Sequence, residues 1–231
     1  MKTIGLIGGM SWESSIEYYR ILNQTVRQRL GGLHSAKSIM FSVDFADIER
    51  FQHQGDWAAA AEVLVEAAQQ LQIAGAGMVL LCTNTMHKLA DDIAARISIP
   101  FLHIADAVGD RIAAKALTRV GLLGTKFTME QDFYRHRLAT RYGLTVLVPP
   151  SPERDRIHHI IYQELCQGKL EPASARALEG IMADLVSQGA EGIILGCTEL
   201  ELLVPPSGLS VPLFPSTQIH AEAAVDRALA V

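Results

Sequence analysis

Two short stretches hold most of the residues in this chain that could do chemistry. LCTNTMH, residues 81–87, supplies a cysteine, two threonines, an asparagine and a histidine within six positions. LGCTEL, residues 195–200, supplies a second cysteine followed at once by threonine and glutamate. A free thiol has a reference pKa of about 8.5, close enough to neutrality for it to act as acid and as base. The chemical question is which residue of the first stretch would work with Cys197. Cys82 is the obvious choice by residue type.

An internal repeat argues for its neighbour. IGLIGG at 4–9 matches VGLLGT at 120–125, an offset of 116. GAGMVLLCTNT at 75–85 matches GAEGIILGCTE at 189–199, an offset of 114, and IPFLHI at 99–104 resembles VPLFPS at 211–216, an offset of 112. Three blocks in the same order, with offsets that shrink evenly, describe a duplicated unit whose second copy has shorter loops. The second block pairs Cys82 with Gly196, Thr83 with Cys197, Asn84 with Thr198 and Thr85 with Glu199. The counterpart of Cys197 is therefore Thr83. Cys82, one place earlier on a strand, points to the opposite face and reads as a small buried hydrophobe. Cys166, in the amphipathic pattern IIYQELCQG, reads as structural.

The elements that must position these residues alternate. KTIGLIGG is a short apolar strand ending in glycines. A helix follows with Ser11 as N-cap, Ser14 as second choice, and Gly31-Gly32 as its stop. SIMFSVDF is a strand, DWAAAAEVLVEAAQQLQIAGA a helix closed by glycines, GMVLLCTN a strand, TMHKLADDIAARI a helix and IPFLHI a strand. Strands separated by helices require crossover connections and form parallel sheets covered on both faces. The expected fold class is α/β, with two pseudo-symmetric domains, each a mostly parallel sheet flanked by helices. The expected division is 1–103 plus 215–231 for the first domain and 104–214 for the second, with the active site in the cleft between them.

Composition narrows the function. The 231 residues are 49% hydrophobic and 19% charged, with a net charge of −5. The basic residues are scattered, which argues against a nucleic-acid partner. No apolar run has membrane-spanning length, and the N-terminal run meets a Gly-Gly turn too soon for a signal peptide. Three cysteines without short spacings make neither a disulfide framework nor a zinc site, and a reducing cytosol is the expected home. GGMS lacks the spacing of a dinucleotide fingerprint. No metal-ligand spacing is present, and no lysine has the context of a Schiff base.

GLIGGMSWESS, CTNTMH and GCTEL resemble the aspartate/glutamate racemases, over nearly the whole chain and in the family's order. That resemblance implies a cofactor-independent enzyme with no pyridoxal phosphate and no metal, a small amino-acid substrate, and room for a homodimer. Family members usually carry Cys-Asn-Thr in the first half and Gly-Cys-Thr in the second. The glutamate after GCT resembles the aspartate racemase branch, where glutamate racemases normally have histidine. This sequence departs from the pattern at Thr83, which stands where the family has its first cysteine.

Racemisation removes the α-proton from one face of Cα and returns a proton to the other, so Cys197 and Thr83 are the expected acid–base pair. Charge spreads into the α-carboxylate of the intermediate and needs oriented donors. Asn84, Thr85 and Thr198 are the expected donors, with amides of the Gly8-Gly9-Met10 turn facing an anion. Glu199 would hold the substrate ammonium or a neighbouring side chain. Gln52 matches a polar position on the family's substrate loop, or is a solvated helix residue. Arg50 could bind a side-chain carboxylate, but it cannot share a helix face with Gln52. Thr128 would bind substrate or cap the helix MEQDFYRHRL, and the cap is favoured. For His87 a structural hydrogen bond is favoured over chemistry. The family's second-half cysteine takes its proton from the L-enantiomer, so a weak base at Thr83 predicts a preference for L-substrate. Single-cysteine relatives imply two other activities, maleate-isomerase-like or decarboxylating. A non-catalytic amino-acid-binding protein is the reading from a different class.

Overall fold

The computed structural model describes residues 1–204 and 209–230. The chain divides into two compact units, Met1–His103 with His220–Val231, and Ile104–Ile219.

The first unit runs β1 (Ile4–Gly8), α1 (Trp12–Leu30), β2 (Ser38–Ser42), α2 (Phe45–Gln54), α3 (Trp57–Ile73) and β3 (Met78–Leu81). A 3-10 turn over Thr85–Leu89, α4 (Ala90–Ala94) and β4 (Phe101–Leu102) complete this run. Its sheet is parallel, in the order β2-β1-β3-β4. The two central strands are buried along their whole length, as expected where helices cover both faces. Side chains alternate between two cores. Ile7, Val79 and Leu81 pack with α2 and α3. Ile4, Leu6, Leu80 and Cys82 pack with Tyr18, Leu22 and Val26 of α1.

The second unit runs α5 (Ile104–Ala113), β5 (Arg119–Gly124), α6 (Lys126–Glu130), α7 (Asp132–Tyr142), β6 (Thr145–Leu147) and α8 (Ser151–Gln163). After a 3-10 turn at Leu165–Gln167 come α9 (Pro172–Ser187), β7 (Ile193–Gly196), α10 (Thr198–Leu203), β8 (Leu213–Pro215) and the start of α11 (Ser216–Leu229), which from His220 onward belongs to the first unit. Its sheet, β6-β5-β7-β8, repeats the topology of the first. The repeat read from the sequence extends to register. Ile7 pairs with Leu81 on β1 and β3, and Leu123 pairs with Leu195 on β5 and β7. Thr83 and Cys197 each stand two residues beyond these pairs, at equivalent places past the carboxyl ends of central strands.

Several local details differ from the sequence expectations. The strand expected through Asn84 ends at Leu81, because Cys82 makes the last ladder contact, its amide donating to the Ile7 carbonyl at 2.9 Å. The helix expected from Thr85 opens as a 3-10 turn before becoming α4. The Gly9 amide is not open to an anion, because it donates to Ser15 Oγ at 2.8 Å. Gly9 itself has φ +95, and a Cβ there would lie 2.2 Å from the Val43 carbonyl oxygen, so only glycine fits. Thr128 is not the helix cap. Thr125 caps α6 by accepting from the Thr128 amide, and Gln131, at the N-cap of α7, makes no side-chain cap bond.

One hydrogen-bonded histidine ties three elements of the first unit together. Tyr18 Oη lies 2.7 Å from His220 Nδ1, and His220 Nε2 lies 2.9 Å from the Leu102 carbonyl oxygen. A carbonyl only accepts, so Nε2 carries the proton and Nδ1 receives the Tyr18 hydroxyl. The ring is fully buried, and desolvation pushes its pKa down to about 4. The folded pKa lies below that of the unfolded chain, so the unfolded state takes up the proton first as pH falls. Stability from this group is present above about pH 6.5 and is lost towards pH 4, a change of about 3 kcal/mol. Urea midpoints measured from pH 4 to 7 should fall on acidification in the wild type. The slope should be shallower in His220→Gln by that amount, and equal slopes would refute the assignment.

Candidate active site

In the first unit the polar residues gather where β3 gives way to the 3-10 turn. Thr83 is half-buried there, while Asn84 and Thr85 are buried. The Thr83 carbonyl is fixed by His87, whose Nδ1 lies 2.7 Å from it. The His87 ring lies 4.6 Å from that of His103 and 5.6 Å from that of His220, centroid to centroid. His87 thus serves in the structural role favoured from sequence. Gln52, on α2, is not a solvated helix residue. It is buried, and its Nε2 lies 2.9 Å from Met86 Sδ. Met10 and Met86 belong to one apolar cluster, so Met10 and Gln52 stand on the same side of the sheet. Arg50 is exposed and paired with Asp47 at 2.9 Å. Cys82 is fully buried among Leu80, Tyr18 and Leu102, and burial alone pushes its thiol pKa up beyond any use at neutral pH.

The second unit builds a denser arrangement. Cys197 follows β7 with extended backbone (φ −156, ψ 133) and precedes α10. Its Sγ donates to Glu199 Oε2 at 2.9 Å. Cys166, in the 3-10 turn after α8, lies 3.8 Å from Glu199 Oε1. The sequence pattern missed this neighbour because it placed Cys166 inside a continuous helix. Burial raises the Cys197 pKa well above the ordinary thiol value, with further rises from the Glu199 charge and from Cys166. Burial and the negative group beside the sulfur both keep the proton on the thiol. Glu199 is also the nearest group able to take that proton. The Thr198 hydroxyl accepts from the Thr217 hydroxyl at 2.9 Å, and the Thr217 amide donates to Glu201 at 2.8 Å. Sequence reading could not have found Thr217, which arrives through the crossover to β8. Glu201 was visible only as the second acid of the run ELE.

A thiol and a carboxylate in contact, with a neighbouring threonine hydroxyl, form an acid–base centre. Among the described residues no group of three or more His, Cys, Asp and Glu side chains is arranged to hold a metal ion. Among them, too, no helix is long and apolar enough to cross a membrane.

Parallel α/β units with polar groups past the carboxyl ends of their central strands define a class of fold in which ligands collect at those ends. Within that class, the sequence pattern of the Asp/Glu/Hydantoin racemase family matches residues 7–224, and the chain belongs to this family. It is similar to a Yersinia pestis protein whose assignment as an Asp/Glu racemase is provisional, at 52% identity and a TM-score of 0.93, covering 99% of this chain and 100% of that one. It is also similar to an aspartate racemase homologue from Pyrococcus horikoshii OT3, at 35% identity and a TM-score of 0.86, covering 99% of both chains. The broad specificity amino-acid racemase RacX of Bacillus subtilis (strain 168) is 26% identical over 172 residues, which is 73% of this chain and 72% of that protein. The protein is an isomerase of the amino-acid racemase type.

The thiol–carboxylate contact makes a chemical prediction. On a Cys166→Ala background, iodoacetamide should alkylate Cys197 and spare Cys82 in the native protein. Glu199→Gln removes the charge that opposes the thiolate, so Cys197 alkylation should shift to lower pH, as mass spectrometry across pH 7–10 would detect. An unshifted profile would mean that Glu199 does not act on the sulfur.

Proposed function

We propose that this protein racemises a small acidic amino acid, aspartate or glutamate, by two-base proton transfer at Cα, without pyridoxal phosphate or metal, and that it favours the L-enantiomer. The observation that carries this reading is the equivalence of Thr83 and Cys197 in the two sheets, with a base partner beside only one of them. On this reading Thr83 and Cys197 are the two acid–base residues, and Cys82 takes no part.

The steps balance with one proton taken from solvent and one returned to it. Glu199 takes the Cys197 proton as substrate binds, and the substrate ammonium compensates the added negative charge at sulfur. The thiolate removes the α-proton of the L-enantiomer. Asn84, Thr85 and Thr198 donate to the carboxylate as it gathers charge, and Met10 and Gln52 line the substrate side of the first unit. The Thr83 hydroxyl, or a water that it holds, returns a proton to the far face and is itself reprotonated from solvent, while Glu199 releases the proton it took from Cys197 and the starting state is restored. In the reverse direction Thr83 must be the base, and its hydroxyl does not ionise usefully near neutrality. Each pKa unit of mismatch costs about 1.4 kcal/mol of driving force.

The equilibrium between free enantiomers remains one to one, so the preference shows in saturation kinetics and isotope exchange. α-Deuteron incorporation in D₂O should be faster from L- than from D-substrate by at least about tenfold, the effect of a single pKa unit. Thr83→Cys should raise the D-substrate rate, and Cys197→Ala should abolish exchange from both. Equal rates from both enantiomers in the wild type would end the asymmetric reading. Release of CO₂ without α-exchange would indicate a decarboxylase instead.

A further inference from the structure

Behind Thr198 lies a chain of groups, Thr217 buried and Glu201 partly so, that the proton-transfer scheme leaves unused. Thr217, fully buried in the first turn of α11, donates its hydroxyl to Thr198 Oγ1 at 2.9 Å and its amide to Glu201 Oε1 at 2.8 Å. The Thr217 hydroxyl and the Gln218 amide also act electrostatically on the Glu201 carboxyl. Glu201 therefore caps the open amides of α11. Among the described residues no cation forms an ion pair with it. The titratable groups that act on it or feel its charge are Glu199, on its own helix, and Tyr134, on α7.

We propose that Glu201, Thr217 and Thr198 form a hydroxyl relay, and that the protonation state of Glu201 decides whether Thr198 can donate to the substrate carboxylate. This rests on the reading above, in which Thr198 is one of the carboxylate donors. The reasoning uses proton counts alone, since each threonine hydroxyl has a single proton to give. When Glu201 is neutral, its acid proton can go to Thr217. The Thr217 proton then goes to Thr198, as the observed bond has it, and the Thr198 proton is free for substrate. When Glu201 is ionised it draws the Thr217 proton to itself. Thr217 can then only accept, the Thr198 proton turns inward, and Thr198 offers the substrate carboxylate only lone pairs. Such chains reverse as a unit, because each bond polarises the next.

The carboxyl titrates where this matters. Desolvation raises its pKa to about 8, against the opposing pull of the helix amides and the Thr217 hydroxyl, and the Glu199 charge adds to the rise. At neutral pH the relay thus stands in its donating state. Binding favours the protonated form, so affinity is held below about pH 8 and lost above it. Glu201 is a positioning residue, acting through two hydroxyls, and its signature is in KM.

The test is the pH dependence of KM and kcat for α-deuteron exchange of L-aspartate and L-glutamate from pH 6 to 10. The variants are Glu201→Gln, Thr217→Val and Thr217→Ser, with thermal melts confirming that each is folded. A site that must be protonated to bind, with a pKa near 8, gives a KM rise of about tenfold between pH 7 and 9. The wild type should show this rise over and above the titration of the substrate ammonium, which all variants share. Glu201→Gln and Thr217→Val should lack it, and Thr217→Ser, which keeps the hydroxyl, should retain it. Coincident KM profiles in all four proteins would overturn the relay while leaving the racemase reading intact. Absence of α-exchange from any amino acid in the wild type would overturn both. Loss of fold in one variant still leaves the other two to decide.

Discussion

The Cys197 thiol and the Glu199 carboxylate stand 2.9 Å apart in a place stripped of water. Two negative charges at that distance, away from solvent, repel by several kcal/mol even at an effective dielectric of about 20. The pair therefore holds one proton between them. Most of what surrounds Cys197 follows from that constraint. β7 must end at Gly196 to release the sulfur from the sheet, and α10 must begin at once, so that a residue two places on can turn back towards it. A positive charge brought beside the pair would support a second negative charge there.

The first unit has the same scaffold with different chemistry. Thr83 leaves β3 at the register that Cys197 has on β7, yet no carboxylate follows it in the chain, and its carbonyl is tied to His87. Its neighbours provide order more than basicity. Buried histidines whose tautomers are set by carbonyl oxygens make rigid supports. Duplication supplied two equivalent positions, and among the described residues only the second carries a thiol beside a carboxylate.

The strands, their order and the equivalence of Thr83 with Cys197 were legible because buried parallel strands leave continuous apolar runs, and a repeat aligns them. What escaped was decided by hydrogen bonds across the chain. A glycine-rich turn reads as an anion cradle until Ser15 is found on the Gly9 amide. Thr125 and Thr128 are both plausible caps by type, and only the backbone turn between them says which accepts. Gln52 has the composition of a surface residue, and burial against Met86 depends on how α2 lies over the sheet. Cys166 and Thr217 reach the Cys197 region from 31 and 20 residues away in sequence, through crossovers that no local pattern encodes.

Glu199 carries one sulfur on each oxygen, Cys197 at 2.9 Å and Cys166 at 3.8 Å. Attack on peroxide or on a disulfide requires the thiolate, and the carboxylate between these sulfurs suppresses ionisation of Cys197. The same carboxylate contacts both sulfurs. In the resting protein the carboxylate thus slows oxidation of the Cys197 sulfur, by the same effect that holds its alkylation to higher pH.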